Sequence, residues 1–297
     1  MDAVLVSECP SDLWAMILMK ITRFFTLLCG LLTCLLLATA ARAIVVAPNT
    51  DLGVLASALL GSDQGLVIRS SSLQYCAAEP IVSCGTYSNA SGTYGIGPGV
   101  VLSTGDVSSC GDSPDVDLSH SYAVLPDYST NDLLSAITGA ATHFDCTRLD
   151  IDFDLLPGYD GISIDTAFCS EEYPRYQFTG FNDGLGIYLN NDNIAVLDGR
   201  YVNISNPQVS FLSGTGFNGV LAPYGVPLLS FSRRLGDGAL SNHLTIVLGD
   251  ASDSVLDTAA YLGNLRALRA VPEPSGILAV AIASGYAMVI GLRRRLL

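Results

Sequence analysis

Positive charge is scarce in this 297-residue chain. Lys20 is its only lysine, and residues 44–270 carry eight arginines against 24 aspartates and glutamates, a net charge of −16. A body this acidic cannot neutralise nucleic-acid phosphates, so we predict no nucleic-acid partner. The same charge is compatible with export, with solubility and with affinity for cations.

The chain also lacks the common catalytic motifs. It has no G-x-S-x-G elbow, no H-E-x-x-H pair and no P-loop, and its three histidines lie far apart. Residues 214–219 spell G-x-G-x-x-G, but Pro223 would break the helix that a dinucleotide-binding fold needs next. We therefore predict a protein that is not an enzyme and has no certain cofactor. A polysaccharide hydrolase that uses two carboxylates is an alternative. Glu171 and Glu172 are neighbours whose side chains would point apart, so two catalytic carboxylates would come from separate segments.

Cysteines are few and odd in number, with five in residues 44–270. Cys76 and Cys84 flank a short proline-containing loop, and we predict that they form a disulfide if the body is exported to an oxidising compartment. Cys110 and Cys146 are a second candidate pair, and one cysteine is left over in any scheme. No cysteine spacing resembles a zinc site.

The N-terminal residues predict export. Residues 19–23 form a basic patch, an apolar stretch follows over residues 24–38, and Ala41 and Ala43 then place small residues two apart. This order predicts a signal peptide region over residues 1–43, passed to the Sec translocon and cut after Ala43 by signal peptidase. Met19 is a candidate true start. An N-terminal membrane anchor is the alternative, although the apolar stretch is short for a span.

The C-terminal residues predict a membrane anchor with an exposed segment before it. Residues 277–292 are uncharged and form a predicted transmembrane helix, short against the ~20 residues that a span needs. The arginine cluster at residues 293–295 would stay in the cytoplasm. The two prolines in front of the span would keep their segment extended and open to a processing enzyme.

The body, residues 44–270, has the pattern of one mainly β domain. Short apolar or alternating runs are separated by glycine and polar clusters, which is typical of a sandwich. Residues 149–155 alternate between large apolar residues and aspartates. We predict a jelly-roll-like β-sandwich with one or two short helices. The further predicted strands cover residues 161–165, 185–189, 194–197, 244–248 and 258–262, with a hairpin turn at 190–193 and helices at 51–60 and 131–138.

Two acidic segments, residues 171–183 and 250–257, are candidates for a cation site. Carboxylate oxygens are the ligands that calcium prefers, and closely packed like charges repel one another unless a cation joins them. We predict that the fold can bring the two segments together around one calcium ion; the alternative is that these are solvated loop carboxylates. The candidate ligands are Glu171, Glu172, Asp183, Asp250, Asp253 and Asp257.

The C-terminal arrangement resembles the PEP-CTERM sorting signal of Gram-negative bacteria. The resemblance covers the last 27 residues and implies that an exosortase recognises and removes the tail; an ordinary C-terminal anchor with a chance Pro-Glu-Pro is the alternative. The residues that carry it are Val271, Pro272, Glu273 and Pro274, followed after the apolar run by Arg293, Arg294 and Arg295.

The body resembles choice-of-anchor L domains. The resemblance rests on the SEEYPRY and FND motifs at residues 170–176 and 181–183, and on the stretches at residues 51–61, 95–107, 150–153 and 249–257. It departs from the family pattern at Cys169, at Gly184 and at Arg175, and the last of these weakens a cation site there. Such domains look like β-sandwiches on surface proteins with alternative sorting tails, and no reaction is assigned to them.

Together the two resemblances imply an exported surface protein. It would be anchored transiently in the cytoplasmic membrane and then released to the cell envelope, the outer surface or the extracellular matrix. A structural or adhesive role in exopolysaccharide or biofilm is the implied function. A carbohydrate-binding module is the alternative, since Tyr173, Tyr176, Phe178 and Phe181 could stack on sugar rings.

Overall fold

The computed structural model describes residues 44–61, 65–75, 82–111 and 117–270. The predicted signal peptide, transmembrane helix and sorting tail lie outside these residues. Among the residues that are described, no helix has both the length and the apolar character needed to cross a membrane.

Both predicted helices are present, and each begins at an aspartate cap. Helix α1 covers Leu52–Leu59, and the Asp51 carboxylate accepts a hydrogen bond from Val54 N at 3.0 Å. Helix α2 covers Tyr128–Thr138, three residues longer at its start than predicted, because Asp127 caps it by accepting from Thr130 N at 2.7 Å. Gly139 ends α2 with a φ of 77°.

The described ranges also contain three short 3-10 helices, at Thr93–Gly95, Val107–Ser109 and Pro223–Gly225, and fifteen strands. In chain order they are β1 Ile44–Pro48, β2 Leu66–Gln74, β3 Cys84–Asn89, β4 Gly99–Ser103, β5 His143–Leu155, β6 Tyr159–Ser170, β7 Gly184–Leu189, β8 Asp192–Asn193, β9 Val196–Leu197, β10 Arg200–Asn203, β11 Val209–Ser210, β12 Gly219–Leu221, β13 Leu229–Arg234, β14 Asn242–Ala251 and β15 Thr258–Arg269.

The strands form two antiparallel sheets. Sheet one has the order β1-β3-β4-β15-β6-β12-β11, with β13 also paired to β6. Sheet two has the order β2-β5-β14-β7-β10-β9, with β8 paired to β7. The two sheets pack face to face, so the predicted β-sandwich is confirmed.

The main core lies between the sheets. Leu149, Ile151, Phe153 and Leu155 of β5 are each at most 1% exposed, and the central apolar cluster also includes Phe168 of β6. The aspartates that alternate with the β5 residues lie on the outer face of sheet two, where Ser70, Arg69 and Thr245 contact them. The alternating pattern therefore identified the inner and outer faces of this strand correctly.

The outer faces of both sheets are partly covered. Tyr87, Tyr94 and Tyr261 form a second apolar cluster on the outer side of sheet one, and the Tyr261 hydroxyl donates to Cys110 O at 2.6 Å. Helix α2 packs Leu134 and Ile137 onto the outer side of sheet two. The sandwich thus has an apolar layer outside each sheet as well as between them.

The predicted hairpin at residues 185–197 is only partly correct. The turn is there, with Asn190 and Asn191 at φ values of 51° and 71°, but β8 is only two residues long. Residues Val196 and Leu197 pair with β10 instead of β7. The reason is a second tight turn, in which Asp198 and Gly199 both have positive φ.

Cys84, Cys110 and Cys169 are buried free thiols. Cys110 belongs to the outer cluster of sheet one and Cys146 to the cluster under α2, so their predicted disulfide is wrong. Cys84 lies in the central core and its thiol donates to Asn49 O at 3.2 Å. Its predicted partner, Cys76, lies outside the described residues, and the free Cys84 thiol does not support that disulfide.

We expect Cys84, Cys110 and Cys169 to resist alkylation in the folded protein. Burial raises the pKa of Cys84 and of Cys110 to about 12 and raises that of Cys169 as well, so the reactive thiolate is absent at neutral pH. Treatment of the full-length protein with iodoacetamide, before and after denaturation, followed by peptide mass mapping, checks this. Modification in the native state, or a disulfide-linked peptide at any of the three, would contradict it.

Gly99 and Gly97 provide a matched pair for testing the packing of sheet one. A Cβ at Gly99 would lie 1.9 Å from the Leu262 carbonyl oxygen, whereas a Cβ at Gly97 would meet no atom within 4 Å. Gly99→Ala should lower the free energy of unfolding by about 1–3 kcal/mol, and Gly97→Ala should change it by less than about 0.5 kcal/mol. Urea denaturation of both variants measures this; equal effects would be inconsistent with the packing.

Candidate functional site

The six predicted cation ligands lie at one end of the sandwich. We call them the acidic cluster: Glu171, Glu172, Asp183, Asp250, Asp253 and Asp257. All but Asp253, which is partly exposed, are at most 3% exposed. The structure therefore buries most of these side chains, against the alternative in which they are solvated loop carboxylates.

The alternation of the strands explains why acidic residues enter the interior here. Leu244, Ile246 and Leu248 of β14 point into the core, and Asp250 is the next residue of that row. Asp183 likewise continues the core row of β7, next to Asp250, because the preceding ladder pair joins Gly249 to Gly184. The acidic cluster is thus the polar end of the main core.

Asp183 joins the two sheets. Its Oδ1 accepts from Ala251 N at 2.9 Å, within sheet two, and its Oδ2 accepts from the Thr258 hydroxyl of sheet one at 2.6 Å. The Thr258 oxygen also lies 2.8 Å from the Ser170 hydroxyl at the end of β6. Burial raises the pKa of Asp183 to about 7 despite these hydrogen bonds.

Asp250 is the least satisfied member of the cluster. It is 1% exposed, and neither carboxylate oxygen has a hydrogen-bond partner at normal distance and angle, although the Thr104 hydroxyl lies near enough to favour its charged form. Burial, followed by the charge of Asp183, raises the pKa of Asp250 well above its usual range. A buried polar group without a partner costs free energy, so Asp250 needs an explanation.

Glu172 is in a similar environment. It is 2% exposed, and its Oε2 has no hydrogen-bond partner, while its backbone N–H donates to Ser170 Oγ at 3.1 Å. Burial raises the pKa of Glu172 to about 8, and the charges of Asp183 and Asp253 add to the shift. The adjacent Glu171 is held differently, since its Oε2 accepts from Asn218 N at 3.2 Å.

Asp257 is paired to a histidine that sequence reasoning did not connect with it. Its Oδ1 accepts from His120 N at 2.7 Å, and its Oδ2 lies 2.5 Å from His120 Nδ1. Gly105 lies against this carboxylate, and a Cβ there would come within 2.2 Å of Oδ2. Burial raises the pKa of Asp257, and the contacts with His120 oppose that shift.

Asp145 is a further buried carboxylate that sequence reasoning missed. It is 0% exposed and accepts backbone hydrogen bonds from Tyr122, Ala123 and Val124 at 2.9, 3.2 and 2.8 Å. Its charge adds to the upward pKa shifts of Asp250 and Asp257. Asp145 fastens the segment 122–124 to β5, and only its position in a strand of high aspartate content could have pointed to it.

The acidic cluster is not already a set of metal ligands. Within the described part of the chain, no three His, Cys, Asp or Glu side chains converge as a group that could hold a metal ion. The fold brings the candidates close enough for their charges to interact, but their carboxylates do not point at one common centre.

The four aromatic residues of the SEEYPRY region do not form an open stacking surface. Tyr173 packs against the main core, and Tyr176 meets Phe181 edge to face at 5.4 Å between ring centroids. Phe178 alone of the four is largely exposed, at 66%. The predicted sugar-stacking set is therefore reduced to one open ring at this position.

Tyr128, a different aromatic residue, lies beside a groove that we call the Tyr128 groove. The groove has a volume of about 420 Å³, and its lining residues are Leu125, Pro126, Asp127, Tyr128, Asn131, Ala141 and Thr142. Tyr128 is 93% exposed and stands at the first position of α2. Two further cavities, of about 190 and 250 Å³, lie beside Gln74 and beside Tyr201.

His143 is a buried, neutral histidine. Its Nδ1 donates to Asn131 Oδ1 at 2.9 Å, and its Nε2 accepts from the Thr138 hydroxyl at 2.8 Å. Burial lowers the pKa of His143 to about 4. These contacts connect β5 to α2, which is a structural role.

The pKa of His143 predicts a loss of stability in acid. Because the folded state resists protonation, the contribution of His143 is present above pH 6.5 and is lost as the pH falls towards about 4. Wild-type protein should lose about 3 kcal/mol more than a His143→Gln variant across this window. Urea denaturation at several pH values measures the two curves; parallel curves would contradict the assignment.

The fold and the buried carboxylates define an antiparallel β-sandwich module with a polar end to its core. Residues 47–216, more than half of the chain, match the family model of the choice-of-anchor L domain. The chain belongs to this family. Membership implies an exported protein anchored at the cell surface.

Comparison with solved structures finds remote likenesses. A carbohydrate-binding module specific for non-crystalline cellulose is 11% identical, with a TM-score of 0.30 over 67% of this chain and 88% of that chain. A β-glucosidase from Kluyveromyces marxianus in complex with glucose is 13% identical, with a TM-score of 0.20 over 47% of this chain and 12% of that enzyme. The catalytic unit of an α-1,3-glucanase from Streptomyces thermodiastaticus is 15% identical, with a TM-score of 0.19 over 53% of this chain and 26% of that chain.

These TM-scores are too low to support a functional argument. The chain also spans only a small part of either enzyme. No curated protein sequence is significantly similar to the chain.

Proposed function

We propose that the body of this protein is a non-catalytic structural or adhesive module in the cell envelope or the exopolysaccharide matrix of a Gram-negative bacterium. The observation that carries this proposal is the family membership of residues 47–216 in a compact antiparallel sandwich. A rigid β-sandwich presents fixed surfaces to partners and needs no moving parts to do so.

The positions of the carboxylates argue against a hydrolase. Glycoside hydrolysis needs two carboxyl groups that face a substrate in a cleft. Glu171 and Glu172 are at most 3% exposed, so a polysaccharide chain could not reach them. None of the three cavities described above is lined by two carboxylates.

The C-terminal segment is the basis for sorting in this proposal. Pro272, Glu273 and Pro274 precede an uncharged run and a terminal arginine cluster, the order of a PEP-CTERM signal. An exosortase would remove this tail after the Sec translocon and signal peptidase had delivered the body across the membrane. The body would then leave its transient anchor for the outer surface or the matrix.

Loss of the exosortase should leave the protein in the cytoplasmic membrane at a higher mass. The uncut tail would keep its hydrophobic run in the bilayer, whereas the cut body would move outward. Fractionation and mass spectrometry of cells with and without the exosortase measure this. A P272A/E273A/P274A variant in normal cells is the matched comparison, and it should behave like the wild-type protein in cells without the exosortase. If the protein has the same mass and lies in the same cell fraction in all three cases, the sorting proposal is contradicted.

The Tyr128 groove favours a second candidate function, the binding of polysaccharide. An exposed aromatic ring beside polar groups is the usual arrangement for stacking on a sugar face, and here Asp127 and Asn131 lie beside Tyr128. The Asp127 cap fixes the backbone at the start of α2, where Tyr128 stands. Matrix exopolysaccharide would be the ligand class.

Tyr128→Ala should weaken polysaccharide binding at least roughly five-fold, since buried aromatic contacts of this kind contribute more than about 1 kcal/mol. Tyr224→Ala is the matched control, because Tyr224 is 92% exposed and does not line the groove. A glycan array followed by titration of any bound glycan gives the comparison. Absence of glycan binding by wild type would leave only the structural role.

A further inference from the structure

The acidic cluster brings several carboxyl groups together without a positively charged side chain beside Glu172, Asp183 or Asp250. The arginines of the described residues that form ion pairs do so elsewhere, at Asp150, Asp154, Asp160, Asp165 and Asp192. Within those same residues no arginine pairs with Glu172, Asp183 or Asp250, and the body has no lysine. The fold therefore places several carboxylates together in its interior and supplies no protein cation for them.

Several carboxyl oxygens of the acidic cluster are buried without a hydrogen-bond partner. Both oxygens of Asp250 and Oε2 of Glu172 are buried and have no hydrogen-bond partner at normal distance and angle. Each of the two residues is at most 2% exposed. Oδ1 of Asp253 is also buried without a partner. Interiors rarely leave such groups unsatisfied, and an ion that the chain does not itself contain is one of the accepted explanations.

We propose that the acidic cluster binds one divalent cation, with Glu172, Asp183 and Asp250 as its carboxylate ligands and calcium as the favoured ion. This inference concerns the fold of the body and does not rest on the proposed function. Asp250 would give up at most its contact with the Thr104 hydroxyl by turning towards an ion. Glu172 has a long side chain with a free oxygen, so these two can turn towards an ion that binds beside Asp183, which two hydrogen bonds hold in place.

The ligand chemistry favours calcium over zinc or magnesium. The groups at this end of the core are carboxylates and the hydroxyls of Ser170 and Thr258, all hard oxygen donors. His120 is held by Asp257, and the Cys84 thiol donates to Asn49 O. Cys110, Cys146 and Cys169 belong to the apolar clusters on the outer sides of the two sheets. Magnesium demands a strict octahedron and keeps its waters, which suits a flexible interior set of side chains less well.

Binding would lock the two sheets together at this end. In sheet two, Asp183 precedes β7 and Asp250 lies near the end of the neighbouring strand β14, whereas Glu172 follows β6 of sheet one. An ion between them would add a direct link across the sandwich beside the one made by Thr258. The loops at residues 171–182 and 251–257 would lose mobility with it.

Calorimetry and thermal melting of the full-length protein test the proposal. After treatment with chelator and its removal, calcium chloride should bind with a stoichiometry near one per chain. At a calcium concentration about 100 times Kd, the Tm should rise by roughly 5–10 °C. Magnesium chloride in a parallel titration should bind at least about tenfold more weakly.

Asp250→Asn separates a ligand from a residue that merely packs. It should lose at least about tenfold in calcium affinity, and in chelator its Tm should equal or exceed that of wild type, because one of the repelling charges is gone. A packing residue would lower the Tm in both conditions. Glu172→Gln provides a second variant with the same expectation in case Asp250→Asn does not fold.

Asp198→Asn is the matched control. Asp198 is exposed, lies away from the acidic cluster and has a φ of 50°, a conformation that asparagine also tolerates. It should bind calcium like wild type. The absence of calcium binding by wild type, or full calcium affinity in both Asp250→Asn and Glu172→Gln, would overturn the proposal and leave a carboxyl cluster that shares protons instead.

Discussion

The hydrogen bond from the Thr258 hydroxyl to Asp183 joins the two sheets where their apolar packing ends. Apolar burial draws the sheets together without direction, whereas a hydrogen bond between fixed side chains sets their relative position. Other contacts at this end depend on the same junction. Ala251 N binds the other oxygen of Asp183, and Glu171 N donates to Asp257 O at 3.0 Å.

This junction explains why a strongly acidic chain accepts buried carboxylates. The strands that form the main core also end here, so the last core-facing position of each is polar rather than apolar. Ser170, Asp183 and Thr258 satisfy one another, and Asp257 is satisfied by His120. Asp250 and Glu172 are left with free oxygens, which is the imbalance from which the cation proposal follows.

The alternation of apolar and polar residues along the strands, together with the helix-capping residues, made much of the fold predictable. The alternation in residues 149–155 located a core row and a polar row because one face of β5 is buried and the other meets Arg69 and Ser70. Asp51 and Gly139 located helix ends because each satisfies a backbone group there. The 185–197 hairpin was misplaced because the positive φ of Asp198 creates a turn that composition alone did not reveal.

The sequence predicted which acidic residues belong to the candidate site but not which contacts they make. The two acidic segments could be recognised as carboxylate-rich, and strand alternation would have placed Asp183 and Asp250 on the core side. The pairing of His120 with Asp257 and the use of Asp145 to hold three backbone amides depend on contacts between distant segments. The same holds for the cysteines, whose separation into different apolar clusters follows from the topology of the sheets.

The edge strands of the two sheets limit how copies of the protein can associate when they are densely packed. Within the described residues, sheet one ends at β1, which finishes in Pro48, and at the two-residue β11. β13, which pairs with β6, carries Arg233 and Arg234. Sheet two stops at the two-residue β9 and at β2, whose ladder is interrupted next to Arg69. Short, charged or irregular margins offer a poor template for strand addition. Densely packed copies would therefore stay separate folded units instead of fusing into fibrils, and any network they build must be held by side chains or by the polymer around them.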